Sequence, residues 1–267
     1  MIEIIHNHFQ RGRVRHAVFD FDGTLSLIRE GWQQAMAETM MAELLQTPDH
    51  EDEPALGALV IELITQTTGQ TASYQMACLA EEVGQRGGQV HDPLVYKERY
   101  VKRLGERINS RVEAIKSGRV SPDDMMVPGA RAILEAMRAR GVRCYLVSGT
   151  YEPYVLDEAA ALNITRYFDS IHGAQDDPTR FSKKQFMECL VVQHHLEAGQ
   201  FASLGDGSVE IAEAKTLGGI AIGVASSEAR RTGIDMGKRD LLIRAGADII
   251  VSDFREHQEL LTYLLDV

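Results

Sequence analysis

Cysteine is scarce. The 267-residue chain carries three, Cys78, Cys144 and Cys189, far apart and with no C-x-x-C pair among them. No zinc knuckle or disulfide framework is readable from that spacing, and each reads as a small buried residue of a reducing compartment. Long apolar runs are missing too: no window approaches the roughly 18 residues that a bilayer-crossing helix needs. The opening "MIEIIHNHFQRGRVRH" lacks the continuous apolar stretch of a secretory leader. A soluble, cytoplasmic protein without a membrane partner is the expectation. Positive charge is in deficit, with Lys+Arg 28 against Asp+Glu 39 and a net charge of −11. That argues against a nucleic-acid partner, which requires dense positive charge to displace counterions. It does not exclude an anionic small molecule, because a local cation site overrides a global field. Internal repeats and low-complexity tracts are absent, and nothing in the sequence indicates an oligomeric state.

What is present is a regular alternation from Pro128 onward. "VRCYLVSG", "FDSIHGA", "FASLGDG", "GIAIGVA" and "ADIIVSDF" read as strands. Between and around them "GARAILEAMRARG", "EPYVLDEAAALN", "SKKQFMECLVVQHHL", "SVEIAEAKTLG", "KRDLLIRAG" and "REHQELLTYLL" read as helices, Ser182 being an N-cap candidate. Strands alternating with helices predict an α/β fold, a Rossmann-like doubly wound parallel sheet whose ligands sit outside the carboxyl ends of the strands. Asp20, Asp22, Ser148, Asp206 and Glu210 all fall at or just past such ends. Residues 27–126 break the rhythm with apolar positions spaced by threes and fours, as in Trp32, Ala35, Met36, Met40, Leu44 and again Val101, Leu104, Ile108, Val112, Ile115. The expected organisation is therefore a core of residues 1–26 and 127–267, with an all-helical second domain of residues 27–126 inserted after the first strand.

The chemistry concentrates in "VFDFDGT", where an apolar run ends in two aspartates and a glycine that permits a turn. Carboxylates this close repel unless a cation lies between them or one is protonated. A hard divalent ion such as Mg²⁺ takes carboxylate oxygens, backbone carbonyls and water. "GDGSVE" supplies a second acidic pair, Asp206 at a strand end and Glu210 in the first turn of the next helix. Sharing one ion demands that Asp206 lie close to Asp20.

Four motifs, "DFDGT", "YLVSGT", "FSKK" and "GDGSVE", follow one another in an order that resembles the haloacid dehalogenase-like superfamily, most of whose members are Mg²⁺-dependent phosphatases. The helical insert resembles the cap of the subclass containing phosphoglycolate phosphatase and β-phosphoglucomutase. The resemblance implies Asp20 as nucleophile and Asp22 as general acid/base. It implies phosphate binding by Ser148, by the backbone N–H groups of Gly149 and Thr150, and by Lys183, with Lys184 as the alternative lysine. It implies a metal held by Asp20, Asp206 and the main-chain carbonyl of Asp22, with Glu210, one methylene longer than the usual aspartate, on the metal or its waters.

The implied activity is hydrolysis of a phosphomonoester of a small metabolite, a sugar phosphate or phosphorylated acid, through an aspartyl-phosphate. Phosphotransfer of the β-phosphoglucomutase type uses the same residues, and a catalytically silent phosphate-binding regulator is a third reading. Dehalogenation is disfavoured, because halide leaves without the proton that Asp22 carries. Arg29 and Trp32 are candidates for leaving-group contacts. The basic stretch 97–116 reads as the wet face of an amphipathic helix, and His194 and His195 as structural.

Overall fold

The computed structural model describes residues 1–68, 70–175 and 181–266. Seven strands, β1 (Ile2–Ile4), β2 (His16–Phe19), β3 (Arg143–Tyr151), β4 (Ser170–Ala174), β5 (Phe201–Gly205), β6 (Ile220–Val224) and β7 (Ile249–Val251), form one sheet in the order β1-β7-β6-β5-β2-β3-β4. Every residue of β2, β5, β6 and β7 is buried. Such unbroken apolar runs, rather than an alternating pattern, are what a parallel sheet covered on both faces selects.

All pairings are parallel except that of β1 with β7. This antiparallel edge strand escapes the sequence reading, since three residues, Ile-Glu-Ile, are too short to display a period. A second difference lies at β3. It runs two residues beyond the expected glycine, and its register with β4 shifts between Val147 and Tyr151.

After edge strand β1 the chain enters the interior of the sheet at β2, between β5 and β3. After β2 it builds outward on one side through β3 and β4, then returns to β5 and builds the other side through β6 and β7. The carboxyl ends of β2, β3 and β5 therefore lie side by side at the point where the winding reverses. In open α/β sheets that crevice is where ligands bind.

The helices of this part are α5 (Ala130–Ala139), α6 (Glu152–Ala161), α7 (Lys183–His194), α8 (Ser208–Thr216), α9 (Met236–Arg244) and α10 (His257–Leu265), once α1 to α4 are counted before them. Ser182 caps α7 as its side chain accepts a hydrogen bond from the Gln185 N–H at 3.1 Å. One face of the sheet buries Val18, Tyr145, Val147, Phe201, Ala221 and Ile250 against Met187 and Leu190 of α7, Ile211 and Ala214 of α8, and Leu242 of α9. Cys144 is buried and Cys78 half-buried, whereas Cys189 is exposed on α7, so the expectation of three buried cysteines fails there.

The helices between β2 and β3 are α1 (Trp32–Leu44), α2 (Glu53–Gln66), α3 (Ala72–Gln85) and α4 (Pro93–Lys116). The helix expected over 54–69 stops at Gln66, and Gly69 lies outside the described residues. Asp52 and Thr71 cap α2 and α3 with side-chain bonds to the N–H groups of Ala55 (3.0 Å) and Tyr74 (3.3 Å). Ala35, Met36, Met40 and Leu44 of α1 and Leu104 and Ile108 of α4 are buried, as their spacing predicts. Arg99 pairs with Glu43 at 2.5 Å, and Arg103 and Arg107 face Glu38 at 3.7 and 3.8 Å. Three of the seven basic residues of the stretch 97–116 thus meet acids of α1. Residue contacts divide the chain into two compact units, residues 1–30 with 112–267, and residues 31–111. The expected insert 27–126 contains the second unit whole and the segments leading into and out of it. Among the described residues no helix is long and apolar enough to cross a membrane.

Asp248, just before β7, ties two neighbouring elements together. Its buried carboxylate accepts the N–H of Ala221, at the start of β6, at 2.9 Å and the Lys215 ammonium of α8 at 2.7 and 2.9 Å. Asp248→Ala leaves a buried N–H without a partner and is expected to cost about 3 kcal/mol, as loss of a buried charged acceptor does. Lys215→Met, at the partly exposed end of the pair, is expected to cost about 1 kcal/mol or less. Urea unfolding of both variants checks the ranking, and equal losses contradict it.

Candidate active site

Asp20 directly follows β2, and its N–H continues the ladder by donating to the Leu204 carbonyl of β5 at 2.9 Å. Phe21, fully buried, anchors the turn beyond: its carbonyl accepts the N–H groups of Leu25 and Ser26 at 2.9 Å each. Gly23 makes this turn with φ of 75°, in the left-handed region. A Cβ at Gly23 would lie 2.2 Å from Asp206 Oδ2, so the missing side chain is also what admits that carboxylate. Gly205 plays the same part for Glu210, whose Cγ and Oε1 lie 2.4 Å from where a Cβ would stand.

Asp20, Asp206 and Glu210 are all buried, and one carboxylate oxygen from each lies within 4.8 Å of the others. Asp206 thus meets the proximity that sharing an ion with Asp20 demands. Lys183, the first residue of α7 and buried, places its Nζ 2.8 Å from Asp20 Oδ1 and 3.3 Å from Glu210 Oε2. Lys184 turns away to Glu213 at 3.7 Å and is half exposed, so Lys183 is the lysine of the cluster. Glu210 has a second engagement, since its Oε1 accepts the Gly207 N–H at 2.8 Å and caps α8. The longer side chain reaches back to its own helix end, which an aspartate there would do less readily.

The Asp22 carboxylate lies outside the three-acid cluster. Its Oδ2 accepts the Thr150 hydroxyl at 2.8 Å, and its Oδ1 lies 3.8 Å from Arg29 Nε. Arg29 is itself held by buried Glu158 of α6, with Nε at 3.1 Å and Nη2 at 2.5 Å from the two carboxylate oxygens. Ser148 is buried on β3 and its Oγ accepts the Thr150 N–H at 3.0 Å. That leaves the Ser148 hydroxyl hydrogen available to an incoming acceptor. Because β3 continues to Tyr151, Gly149 and Thr150 sit on the end of the strand and not in a free strand-to-helix turn. Trp32 is partly buried at the start of α1. The His194 ring lies beside that of His16, centroids 4.6 Å apart and tilted by 41°, and His195 is the C-cap residue of α7.

Sequence reasoning misses a second cation. Lys238, in the first turn of α9, places its Nζ 2.7 Å from Asp206 Oδ2 and 2.7 Å from Glu228 Oε1. A signal was available: a lysine in the first turn of a helix opposes the macrodipole and calls for a nearby anion. Glu158 is missed for a plainer reason, since a glutamate inside a helix has nothing distinctive about it.

Burial pushes the Asp20 pKa well up, with Glu210 and Asp206 adding to the rise and Lys183 opposing it. It likewise raises Asp22, against Arg29 and Thr150. Burial carries Asp206 to about 6, against Lys238, and Glu158 to about 7, against Arg29. Glu210 goes the other way: burial opposes its charge, yet Lys183 and the backbone N–H groups hold its pKa below the usual carboxylate value. Lys183 is buried as well, but Asp20 and Glu210 raise its pKa and keep it charged.

The residues fit a hard divalent cation. Among the described residues the buried side-chain oxygens and nitrogens without a hydrogen-bond partner are Asp22 Oδ1, Thr24 Oγ1 and Glu210 Oε2, the last of which belongs to the acid cluster and faces Lys183 at 3.3 Å. Three buried carboxylates with raised or opposed ionisation and an unpartnered oxygen are what such an ion would satisfy.

Acidic side chains gathered at the switch point of a doubly wound sheet, beside a buried lysine and a serine at a strand end, define an α/β enzyme that handles an anionic group. The chain belongs to the haloacid dehalogenase-like hydrolases, whose family model matches residues 14–218. It is similar to a phosphoglycolate phosphatase of Shigella boydii, 21% identical over 246 residues that cover 92% of this chain and 95% of that one. Its fold resembles that of a predicted phosphoglycolate phosphatase from Haemophilus somnus (TM-score 0.60, 16% identity, 93% of this chain and 98% of that one). It resembles equally CbbY from Rhodobacter sphaeroides, solved with phosphate (TM-score 0.57, 18% identity, 91% and 96%).

The raised carboxylates set the sign of a pH dependence. An acid whose folded pKa exceeds its unfolded value binds its proton more tightly in the native state, so stability falls as pH rises between the two values. For Asp206 that window runs from the ordinary 3.8 to about 6. For Glu158 it runs from 4.5 to about 7. Free of divalent ions, Asp206 is expected to contribute a loss of stability between pH 4 and 6, so the wild-type minus Asp206→Asn difference in stability falls as pH rises through that range. Unfolding midpoints of both proteins measured across this range decide it; a difference between them that does not change with pH runs against the assignment.

Proposed function

We propose that this hydrolase is a phosphoric monoester hydrolase that cleaves a small phosphorylated metabolite through an aspartyl-phosphate on Asp20. The observation that carries the reading is the position of Asp20: it directly follows the interior strand β2, with Lys183 at 2.8 Å and two further carboxylates within 4.8 Å. A lone buried aspartate would need only one partner. A carboxylate that must approach a phosphate dianion requires cations already in place.

An Asp20 oxygen attacks phosphorus and the bond from phosphorus to the ester oxygen breaks. The departing alkoxide takes a proton from Asp22, whose burial favours the protonated start. Asp22 then accepts a proton from water, the hydroxide attacks the phosphoryl group, and Asp20 is released as carboxylate. Thr150 and the Arg29–Glu158 pair hold Asp22 in place through both transfers. Ser148, Lys183 and the backbone N–H of Gly149 bind the non-bridging oxygens, and the Thr150 N–H joins them on leaving Ser148 Oγ. Asp20, Asp206, Glu210 and the Asp22 main-chain carbonyl would hold Mg²⁺, which when bound supplies positive charge to the phosphoryl oxygens. The division into a core of residues 1–26 with 127–267 and a cap of residues 27–126, and the cap's part in choosing the leaving group, belong to the same proposal.

Free phosphate release from a panel of phosphorylated sugars, acids and a generic aryl phosphate, with Mg²⁺ present, tests the reading. Asp20→Asn is expected to lower kcat by about 10³-fold or more, and Asp22→Asn by about 10² to 10⁴-fold on alkyl esters. Turnover undiminished in Asp20→Asn, or an isomerised sugar phosphate in place of free phosphate, overturns it.

A further inference from the structure

Lys238 occupies an unusual position. It lies in the first turn of α9, where the helix dipole disfavours a cation and the acid at the helix start, Asp235, is engaged as the N-cap. Its side chain is mostly buried, at 15% exposure, where an ammonium loses most of its hydration. Two carboxylates from other elements compensate. Asp206 follows β5, Glu228 stands on the loop after β6, and each is 2.7 Å from Nζ. The head of the helix is set in place independently by the Asp235 carboxylate, whose Oδ1 accepts the Lys238 N–H at 3.0 Å. The Lys238 side chain is therefore not needed to start the helix. What it does is place a permanent positive charge on an oxygen of one of the three clustered acids.

The arrangement has two halves. Lys183 serves Asp20 and Glu210; Lys238 serves Asp206 and Glu228. Lys183 bears on the nucleophile and on the phosphate-binding side. Lys238 touches neither Asp20 nor Asp22, and its one link to the cluster is Asp206. Any divalent ion bound by the cluster needs negative charge from Asp206 that Lys238 already offsets. Two cations drawing on one buried carboxylate weaken each other's hold, and at low local dielectric the effect is large.

We infer that Lys238 is a resident competitor of the divalent ion for Asp206, and that Glu228, by drawing the ammonium partly to itself, sets how strongly it competes. Lys238 is a positioning residue in this role and acts through Asp206. The inference rests on the metal site proposed above, and its test separates the two.

Calorimetric titration of the metal-free full-length protein with MgCl₂ gives the affinity without recourse to activity. Lys238→Met is expected to bind Mg²⁺ about tenfold or more tightly than wild type, and Glu228→Gln about tenfold more weakly. Lys238→Arg, which keeps the charge, should return the affinity close to the wild-type value. Binding measurable in Lys238→Met but too weak to measure in wild type supports the inference equally. Melting curves in EDTA accompany each titration, because a lysine that served stability alone would lower the melting temperature and leave Mg²⁺ affinity where it was. Affinity unchanged or weakened in Lys238→Met overturns the inference while leaving the metal site standing. Asp206→Asn that binds Mg²⁺ as wild type does overturns the metal site, and the inference with it. Should Lys238→Met fail to fold, Glu228→Gln decides alone, and affinity unchanged or increased there is the overturning result.

Discussion

Carboxylates packed out of water repel one another, and this protein gathers several of them at the end of one sheet. Asp20, Asp206 and Glu210 lie within 4.8 Å of each other, and Glu228 adds a fourth through its shared lysine. Desolvation alone would drive such a group to protonate. Lys183 and Lys238 prevent the cluster from simply becoming neutral, and each serves two acids. Glycines at 23 and 205 leave the space that the acid side chains fill. The turn after β2, the caps of α7 and α8 and the start of α9 all serve to hold charged groups where burial opposes them.

The sheet order turns this local problem into a site. Had β2 been an edge strand, Asp20 would have had one neighbouring strand end and half the company. Entering in the interior of the sheet, it stands between β3, which brings Ser148 and Thr150, and β5, which brings Asp206. The acid on the far side of the turn, Asp22, is governed by a separate group: Thr150 from β3, Arg29 from the chain beyond the turn, and Glu158 from α6. Two aspartates two residues apart thus sit in different electrostatic surroundings, one against a lysine and acids, the other against a hydroxyl and a paired guanidinium. That separation is what the proposed division into nucleophile and proton carrier requires.

Much of this was legible beforehand, for identifiable reasons. The buried strands announce themselves as apolar runs, and their alternation with helices leaves few topologies to consider. Asp20, Asp22, Ser148, Lys183, Asp206 and Glu210 stand at punctuated strand ends or a helix start, where a polar residue after an apolar run is conspicuous. The structure brings them to one end of the sheet. The choice of Lys183 over Lys184 was open until α7 was seen to turn its first residue inward. Strand β1 was invisible because its pairing with β7 depends on a partner about 250 residues away and on no internal pattern. Cys189 shows the opposite failure, an apolar neighbourhood in sequence that is a solvent-facing position on the helix.

By itself the sequence determined the alternating α/β core, the helical insert and the acids that end the strands. Those features are written in short-range periodicity and in the turn residues that interrupt it, and neighbours along the chain suffice to specify them. Only the tertiary structure decided which cations those acids meet. Lys238 and Asp206 are 32 residues apart, and Arg29 and Glu158 are 129 apart. An ion pair between distant elements leaves no period in the sequence, because it depends on where two side chains finish after the sheet has closed around them.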